Sequence, residues 1–189
     1  RLRLGLSMLD GEDTDAIMRD VDDMQELLDG FLDFARNDAL DGLEPCMPRE
    51  ILDAAVSDAA RGGQSVTLGP VTGPDQHVTM RPMAVRRALD NLIGNALRYG
   101  TKAEVCLDIT DRTVRFTVED DGPGIPATSR EAAMSPFVRL DPSRNQDKGT
   151  GVGLGLSIVA DIARNHGGLL RLGDSARLGG LKAELVLAR

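Results

Sequence analysis

The sequence has few cysteines, an excess of acidic over basic residues and no long apolar run, and each of these excludes a class of protein. Its only cysteines, Cys46 and Cys106, lack metal-ligand spacing, so we expect two buried or free thiols in a reducing compartment. The formal net charge of −8 argues against nucleic acid as a partner, because an acidic surface repels a phosphate backbone. No stretch reaches transmembrane length, so we expect a cytoplasmic chain that makes no direct membrane contact.

The 189 residues, 41% of them hydrophobic, are enough for one ordinary domain with a small helical appendage. Near the N-terminus apolar residues recur at heptad spacing, with a polar turn at residues 10–14, which predicts a helical hairpin over residues 1–37. Two helices cannot cover their own apolar seam, so we expect this hairpin to pair with a second copy of the chain. Packing against its own domain is the alternative.

Helical and strand patterns are mixed through the rest of the chain. After a connector at 37–48, helices are predicted over 49–60, 82–99 and 154–166, and strands over 65–68, 77–80, 103–109, 114–118, 169–173 and 181–187. Residues 125–149 contain three prolines and little periodicity, which predicts a long loop. Because strands and helices do not alternate strictly, we expect an α+β fold: a two-layer sandwich of a mixed sheet with helices on one face.

Two asparagines stand out within the predicted helix 82–99. Asn91 and Asn95 lie one turn apart, and Arg98 follows on the same face. Asparagine is a weak helix former, so two of them on one flank need a reason. An amide oxygen suits Mg²⁺ that is already bound to phosphates, and an arginine can hold a phosphate oxygen. The plain alternative is a solvated helix face that happens to carry asparagine.

Asp120 ends a predicted strand and is followed by Gly122 and Gly124. A carboxylate in this place can accept a hydrogen bond from an exocyclic amine such as adenine N6, and glycines let a flat base approach the backbone. The alternative is a simple turn at the end of a strand.

A second glycine-rich stretch, with Gly151, Gly153 and Gly155, runs directly into the last predicted helix. Its free amides and the helix N-terminus would face an anion. The spacing is that of neither the phosphate loop ending in Gly-Lys-Ser/Thr nor the Rossmann turn. Tight helix packing is the alternative explanation for these glycines.

Taken in order, residues 91–159 resemble the Bergerat-type ATP-binding fold shared by bacterial sensor histidine kinases, DNA gyrase, Hsp90 and mismatch-repair clamps. Asn91–Asn95 resembles the N box, 120–124 the first glycine box and 151–156 the second, while 136–139 is similar to the kinase F box in a mobile lid. Arg98-Tyr99 and residues 165–168 make the chain similar to osmosensor-type kinases. Residues 1–40 then resemble a truncated dimerisation and phosphotransfer hairpin, and 41–189 the catalytic domain.

The resemblance implies a role for each matching residue. Asn95 would coordinate Mg²⁺, Asn91 and Arg98 would support the phosphates, and Asp120 would read adenine N6. Asn91 and Arg139 would be the catalytic residues, with Arg139 on the lid reaching the γ-phosphate. Further contacts to ATP would come from Tyr99, Gly122, Gly124 and Ile125 around the base, and from Gly151, Gly153, Leu154, Gly155 and Leu156 around the phosphates.

The implied activity is a protein histidine kinase that transfers the γ-phosphoryl of ATP to a histidine, for relay to an aspartate of a response regulator. The histidine-bearing motif of such kinases is absent from this chain, so we do not expect the fragment to autophosphorylate. His77 falls in a predicted strand and His166 at a helix end, where structural or capping roles are expected. A longer parent protein anchored in the inner membrane would be typical of the family.

Two other classes remain open. An ATP-hydrolysing clamp of the gyrase or Hsp90 type usually has glutamate in the place of Asn91, to activate water, and asparagine cannot take a proton. A degenerate module could dock a response regulator without using ATP, although intact glycine boxes count against it. An anti-sigma-factor serine kinase is a related alternative. The predicted N-terminal hairpin counts against it, because that group lacks such a hairpin.

Overall fold

The computed structural model describes residues 42–138 and 153–189. The predicted hairpin at 1–37, Arg139 and Gly151 lie outside the described residues. In chain order the elements are β1 (Glu44–Cys46), α1 (Pro48–Arg61), β2 (Val66–Thr72), β3 (Val78–Met80), α2 (Pro82–Tyr99), β4 (Ala103–Ile109), β5 (Thr113–Asp120), a 3₁₀ turn (Ala127–Ser129), α3 (Arg130–Ala133), α4 (Gly155–Asn165), β6 (Leu169–Asp174) and β7 (Leu181–Ala188).

The main sheet has five strands in the order β2-β4-β5-β7-β6. Strand β2 runs parallel to β4, and the other neighbouring pairs are antiparallel, so the sheet is mixed. Helices α1, α2 and α4 pack together and against this sheet. The predicted α+β sandwich is confirmed.

The core fills the space between the sheet and the helices. Along β4, Val105 and Leu107 are fully buried while Cys106 between them is partly exposed, as expected for a strand with one covered face. Phe116 on β5 is also fully buried, and Val85 and Leu89 on α2 close the other side. Helix α2 therefore buries one flank and leaves the asparagine flank for other contacts. Among the described helices, none combines the length and the hydropathy of a membrane span.

The N-terminal part of the described chain differs from the prediction. The segment predicted as a connector contains β1, which pairs with β3 in a separate two-stranded sheet. Proline 45 is tolerated there because such a small sheet consists of edge strands. Strands β2 and β3 are consecutive in the chain but do not pair with each other, since β2 joins β4 with an irregularity between Leu68 and Val71.

The predicted long loop also contains regular structure. The 3₁₀ turn and α3 occupy residues 127–133, and Ala133 is buried. These elements are too short to produce a helical period in the sequence, which is why the pattern predicted a loop. Residues 139–149 of that segment lie outside the described part of the chain.

Candidate functional site

The polar flank of α2 faces the beginning of α4. Asn91 is half-buried, and its side-chain nitrogen Nδ2 donates a hydrogen bond to the carbonyl of Arg87 at 2.9 Å. Its oxygen Oδ1 lies on the other side, where a Cβ atom placed on Gly155 would be only 3.2 Å from it. Asn91 therefore offers a neutral acceptor at the junction of the two helices.

Asn95 lies at the same junction, one turn further along α2. A Cβ atom on Gly155 would be 3.2 Å from Asn95 Nδ2 and 3.6 Å from its Oδ1. The described residues provide no hydrogen-bond partner for this half-buried side chain. Because helix α4 begins at Gly155, its free backbone amides and the positive end of its dipole lie beside both asparagines. Gly155 of the second glycine stretch therefore lies beside the asparagine pair.

Asp120 is the last residue of β5 and is only 5% exposed. Its Oδ1 accepts two backbone hydrogen bonds, from Gly122 at 2.9 Å and from Leu181 at 3.0 Å. Burial raises the pKa of this carboxyl, while these two hydrogen bonds oppose the shift. Within the described residues Oδ2 has no such partner, so the backbone fixes one carboxylate oxygen and not the other.

The neighbouring Asp121 has a different environment. It accepts hydrogen bonds from the Thr101 amide at 2.7 Å, the Thr101 hydroxyl at 2.5 Å and the Lys102 amide at 3.0 Å. The Thr101 hydroxyl is the largest cause that lowers the pKa of Asp121 to about 2. Asp121 therefore ties the end of β5 to the segment after α2, whereas Asp120 remains available to the site.

The first glycine stretch packs against the end of α2. A Cβ atom on Gly122 would be 3.0 Å from the carbonyl carbon and oxygen of Tyr99, and 3.0 Å from Asp120 Oδ1. Gly124 has a φ of 69°, in the left-handed region that favours glycine. Ile125 packs against the core and half of the Tyr99 surface is exposed. Helix α2 thus connects both ends of the site, with the asparagines at α4 and Tyr99 at the first glycine stretch.

The sequence did not indicate that the turn between β6 and β7 supports Asp120. Gly180 donates its amide to the Asp120 carbonyl at 3.0 Å, and the next amide, of Leu181, binds the Asp120 side chain. A Cβ atom on Gly180 would be 2.3 Å from Asp120 Oδ1 and 2.5 Å from the amide nitrogen of Gly122. The paired glycines 179 and 180 were the available signal, but alone they predict only a hairpin turn.

The second glycine stretch and the F-box segment are hydrogen-bonded to each other where the structure describes them. Phe137 donates its amide to the Gly153 carbonyl at 3.1 Å and has a φ of 64°, which is unusual for a residue with a side chain. Leu154 and Leu156 are partly buried and pack against the core. Arg139 and Gly151, to which the sequence assigned roles at this end, lie outside the described residues.

Arg98 and the two histidines complete the predicted set. Arg98 is half-buried and makes no ion pair with a described residue. His166 Nε2 accepts the Arg81 amide at 3.1 Å, so Nδ1 carries the proton and donates to the Ile162 carbonyl at 2.7 Å. This bonding gives His166 the structural role expected at the end of α4. His77 lies just before β3.

The donor set fits a nucleotide with its divalent cation. A buried carboxylate with one open oxygen suits an amine, and glycines at 122 and 180 stand where a side chain would fill the space around it. At the other end, amide oxygens suit a cation, and a helix N-terminus suits the phosphates that hold that cation. No cluster of acidic, histidine or cysteine side chains among the described residues forms a dedicated metal site, so a cation here would depend on the phosphates.

Comparison with known proteins decides the family. Residues 80–188 match the family of histidine kinase-, DNA gyrase B-, and HSP90-like ATPases. The chain belongs to this family. It is therefore an ATP-binding domain, and the resemblance drawn from the ordered motifs is confirmed.

Similar proteins within the family include sensor kinases. Over 199 residues the chain is 33% identical to the sensor histidine kinase CpxA of Escherichia coli K12, covering 99% of this chain and 43% of CpxA. The ATP-binding domain of PrrB from Mycobacterium tuberculosis matches with a TM-score of 0.63 and 29% identity, over 78% of this chain and 98% of that domain. The histidine kinase domain of the E. coli osmosensor EnvZ matches with a TM-score of 0.59 and 34% identity, over 78% and 89%. The chain thus spans less than half the length of CpxA.

Proposed function

We propose that this chain is the catalytic part of a two-component sensor histidine kinase. It binds ATP and presents the γ-phosphoryl to a histidine outside this sequence, from which the group passes to an aspartate of a response regulator. The observation that carries the proposal is the placement of Asn91 and Asn95 against the start of α4, with the buried Asp120 at the far end of α2. This layout gives separate places for the phosphates and the base.

Asn91 favours transfer over hydrolysis. A hydrolytic clamp of the gyrase or Hsp90 type needs a base that takes a proton from water, and an amide cannot do this. The Nδ2 atom of Asn91 is engaged with a backbone carbonyl of its own helix, so what it offers the site is an acceptor oxygen. In transfer, a histidine nitrogen forms a bond to the γ-phosphorus while the bond to the bridging oxygen breaks and ADP leaves. Catalysis then depends on positioning and charge stabilisation.

The residue roles follow from the two ends of the site. Asp120 accepts the adenine amine, Gly122 and Gly124 give the base room, and Tyr99 and Ile125 line its pocket. Asn91 and Arg98 support the phosphates together with Gly151, Gly153, Leu154, Gly155 and Leu156. Asn95 holds Mg²⁺, which when bound would neutralise charge on the phosphate oxygens. Arg139 completes the proposal as the cationic group that contacts the γ-phosphate.

The wider organisation is also part of the proposal. Residues 1–40 form the remaining part of a dimerisation hairpin and residues 41–189 the catalytic domain. The active protein is a homodimer through residues 1–37 and works in the cytoplasm on a receiver domain, in a longer protein anchored in the inner membrane. The acidic composition, with a formal charge of −8, supports a protein rather than a nucleic-acid partner.

The activity is tested with a longer form of the protein that carries the histidine-bearing segment. Incubated with Mg²⁺ and ATP labelled at the γ-phosphate, it is expected to acquire label that is lost in acid and kept in base, as for a phosphorus–nitrogen bond. Steady release of inorganic phosphate without labelled protein would favour a hydrolytic clamp. Absence of nucleotide binding would favour a regulator-docking module.

The metal assignment has its own test in the 189-residue chain. Asn95→Ala is expected to weaken Mg²⁺-dependent ATP binding by roughly a hundredfold, as for loss of a metal contact, while binding without Mg²⁺ changes much less. The matched control is Asn165→Ala, which removes an exposed helical asparagine from the far end of α4. Calorimetric titration with and without Mg²⁺ measures both, and equal weakening under the two conditions would remove the metal assignment.

A further inference from the structure

The turn between β6 and β7, residues 175–180, contains a buried hydroxyl that the proposed chemistry does not use. Ser175 is 4% exposed. We propose that Ser175 is a positioning residue for adenine selectivity: it fixes the turn that orients Asp120, and through Asp120 the preference for a purine with an amine at C6. The inference rests on the proposed function, because it assumes that Asp120 reads the base.

Ser175 holds the turn closed with both its side chain and its backbone. Its Oγ donates to Glu119 Oε2 at 2.5 Å and accepts the Leu178 amide at 2.9 Å. Its own amide donates to the Gly180 carbonyl at 2.8 Å, and its carbonyl accepts the Gly179 amide at 2.9 Å. Hydrogen bonds from a hydroxyl to a carboxylate are in general among the stronger ones. The turn is thereby anchored to β5 at the residue immediately before Asp120.

The last residue of this turn and the first residue of β7 hold Asp120 at two atoms. The Gly180 amide binds the Asp120 carbonyl at 3.0 Å, and the Leu181 amide binds Oδ1 at 3.0 Å. Leu181 directly follows the turn that Ser175 closes, so the position of its amide depends on that turn. If the turn relaxed, Oδ1 would lose one of its two partners and the carboxylate could rotate. Oδ2 would then no longer be held in one place for the ligand.

If Ser175 only stabilised the fold, its loss would weaken the binding of every nucleotide equally. If Ser175 positions Asp120, its loss would weaken the binding of nucleotides with an amine at C6 in particular. ATP has an amine at C6, whereas purine riboside triphosphate has hydrogen there and is otherwise the same. A site that hydrogen-bonds the amine discriminates against the analogue, because its acceptor is left unpaired. Positioning of Asp120 therefore affects the affinity for ATP much more than the affinity for the analogue.

The test is titration of the 189-residue chain and its Ser175→Ala variant with the two nucleotides. The original chain is expected to bind ATP at least about tenfold more tightly than purine riboside triphosphate. In Ser175→Ala, ATP binding is expected to weaken roughly fivefold to tenfold and analogue binding by less than about twofold, so that the preference largely disappears.

Two further variants show whether an effect of Ser175→Ala comes from its hydrogen bond to Glu119 or from a general loss of folding. Thr110→Val removes an exposed turn hydroxyl that likewise accepts a backbone amide, that of Thr113 at 3.0 Å in the β4–β5 turn, at the opposite end of the sheet. It is expected to leave both affinities unchanged. Glu119→Gln keeps the side-chain volume and weakens the bond to Ser175, and should reproduce the loss of preference to a smaller extent, about threefold.

The outcomes separate this inference from the function on which it rests. Equal weakening of both nucleotides in Ser175→Ala and Glu119→Gln, or no weakening, would overturn the positioning role while leaving ATP binding in place. A chain that binds both nucleotides equally well before any substitution would instead contradict the assignment of Asp120 as the reader of the base.

Discussion

The proposed base end of the site, around Asp120, is held by backbone hydrogen bonds, whereas the proposed phosphate end, around Asn91 and Asn95, is formed by the approach of two helices. Asp120 is fixed by amides from both the first glycine stretch and the β6–β7 turn. Asn95 has no hydrogen-bond partner among the described residues, and Gly155 merely comes close to it.

This difference has a physical reason. A flat base of one identity is recognised by a single well-placed acceptor, so rigidity there improves selectivity. A triphosphate with its cation has many oxygens and a coordination shell partly made of water, so polar groups that can adjust serve it better. We therefore expect substitutions at the base end to damage folding and binding together, and substitutions at the phosphate end to damage binding alone.

The largest effect is expected for Gly180→Ala. The added Cβ would lie 2.3 Å from Asp120 Oδ1 and 2.6 Å from the Asp120 carbonyl oxygen, contacts that require backbone movement. We expect a loss of roughly 3 kcal/mol in the free energy of unfolding, as for overpacking of a close-packed region, together with loss of ATP binding. Urea denaturation and calorimetric titration measure the two.

The control lies in the same hairpin. Gly173→Ala places a Cβ atom where nothing lies within 4 Å, so stability should change by less than about 0.5 kcal/mol. If Gly180→Ala were as harmless as Gly173→Ala, the base end would not be rigid and the contrast between the two ends would disappear.

Gly155→Ala applies the same change to the phosphate end. The atoms nearest to its Cβ would be side-chain atoms, Asn91 Oδ1 and Asn95 Nδ2, both at 3.2 Å. These amides can move, and alanine favours the helix, so we expect a change in unfolding free energy below about 1 kcal/mol. Displaced amides should nevertheless weaken Mg²⁺-ATP binding roughly tenfold, as for loss of metal-site geometry. A destabilisation as large as that of Gly180→Ala would count against the proposed difference.

The pH dependence of base selectivity gives a smaller effect. Burial raises the pKa of Asp120 above the ordinary value of 3.8, so this carboxyl takes up its proton earlier on acidification than a free aspartic acid. The protonated acid is a poorer acceptor, so the preference for ATP over purine riboside triphosphate should decline before the pH reaches 3.8. The free energy of unfolding changes in the opposite direction. The contribution of Asp120 to it rises on acidification, because protonation of a group whose pKa is raised in the folded state favours that state. A preference that stays constant down to about pH 4 would contradict the role of Asp120.

The smallest effect concerns Asp121. Its pKa is lowered to about 2, so it stays ionised while Asp120 titrates, and its stabilising contribution is lost only between the ordinary value of 3.8 and about 2. Thr101→Val removes the hydroxyl that is the main cause of the shift. The difference in denaturation midpoint between this variant and the original chain should therefore be present at neutral pH and shrink below 3.8. A difference in denaturation midpoint that grows on acidification would contradict the stabilising role of the ionised Asp121.

Strong periodicity made much of the fold predictable. Helix α2 is bounded by Pro82 and Gly100, and the predicted range of 82–99 matches it residue for residue. Strand β4 shows strict alternation and was also predicted to its exact ends. By contrast, β1 is 3 residues long and carries no detectable period.

The candidate site was predictable where its residues are close in sequence. The spacing of Asn91, Asn95 and Arg98 places them on one helix flank without knowledge of the rest of the chain. The support of Asp120 by Leu181 was not predictable, because 61 positions separate the two residues and only the sheet order brings them together. Ser175 was missed for the same reason, since its partner Glu119 is 56 positions away.

The most direct test of the account is a crystal structure of the chain with Mg²⁺ and a non-hydrolysable ATP analogue. We expect the adenine amine within hydrogen-bonding distance of Asp120, the phosphates at the start of α4, and the cation beside Asn95. An analogue bound with its base away from Asp120, or with its phosphates away from the junction of α2 and α4, would contradict it.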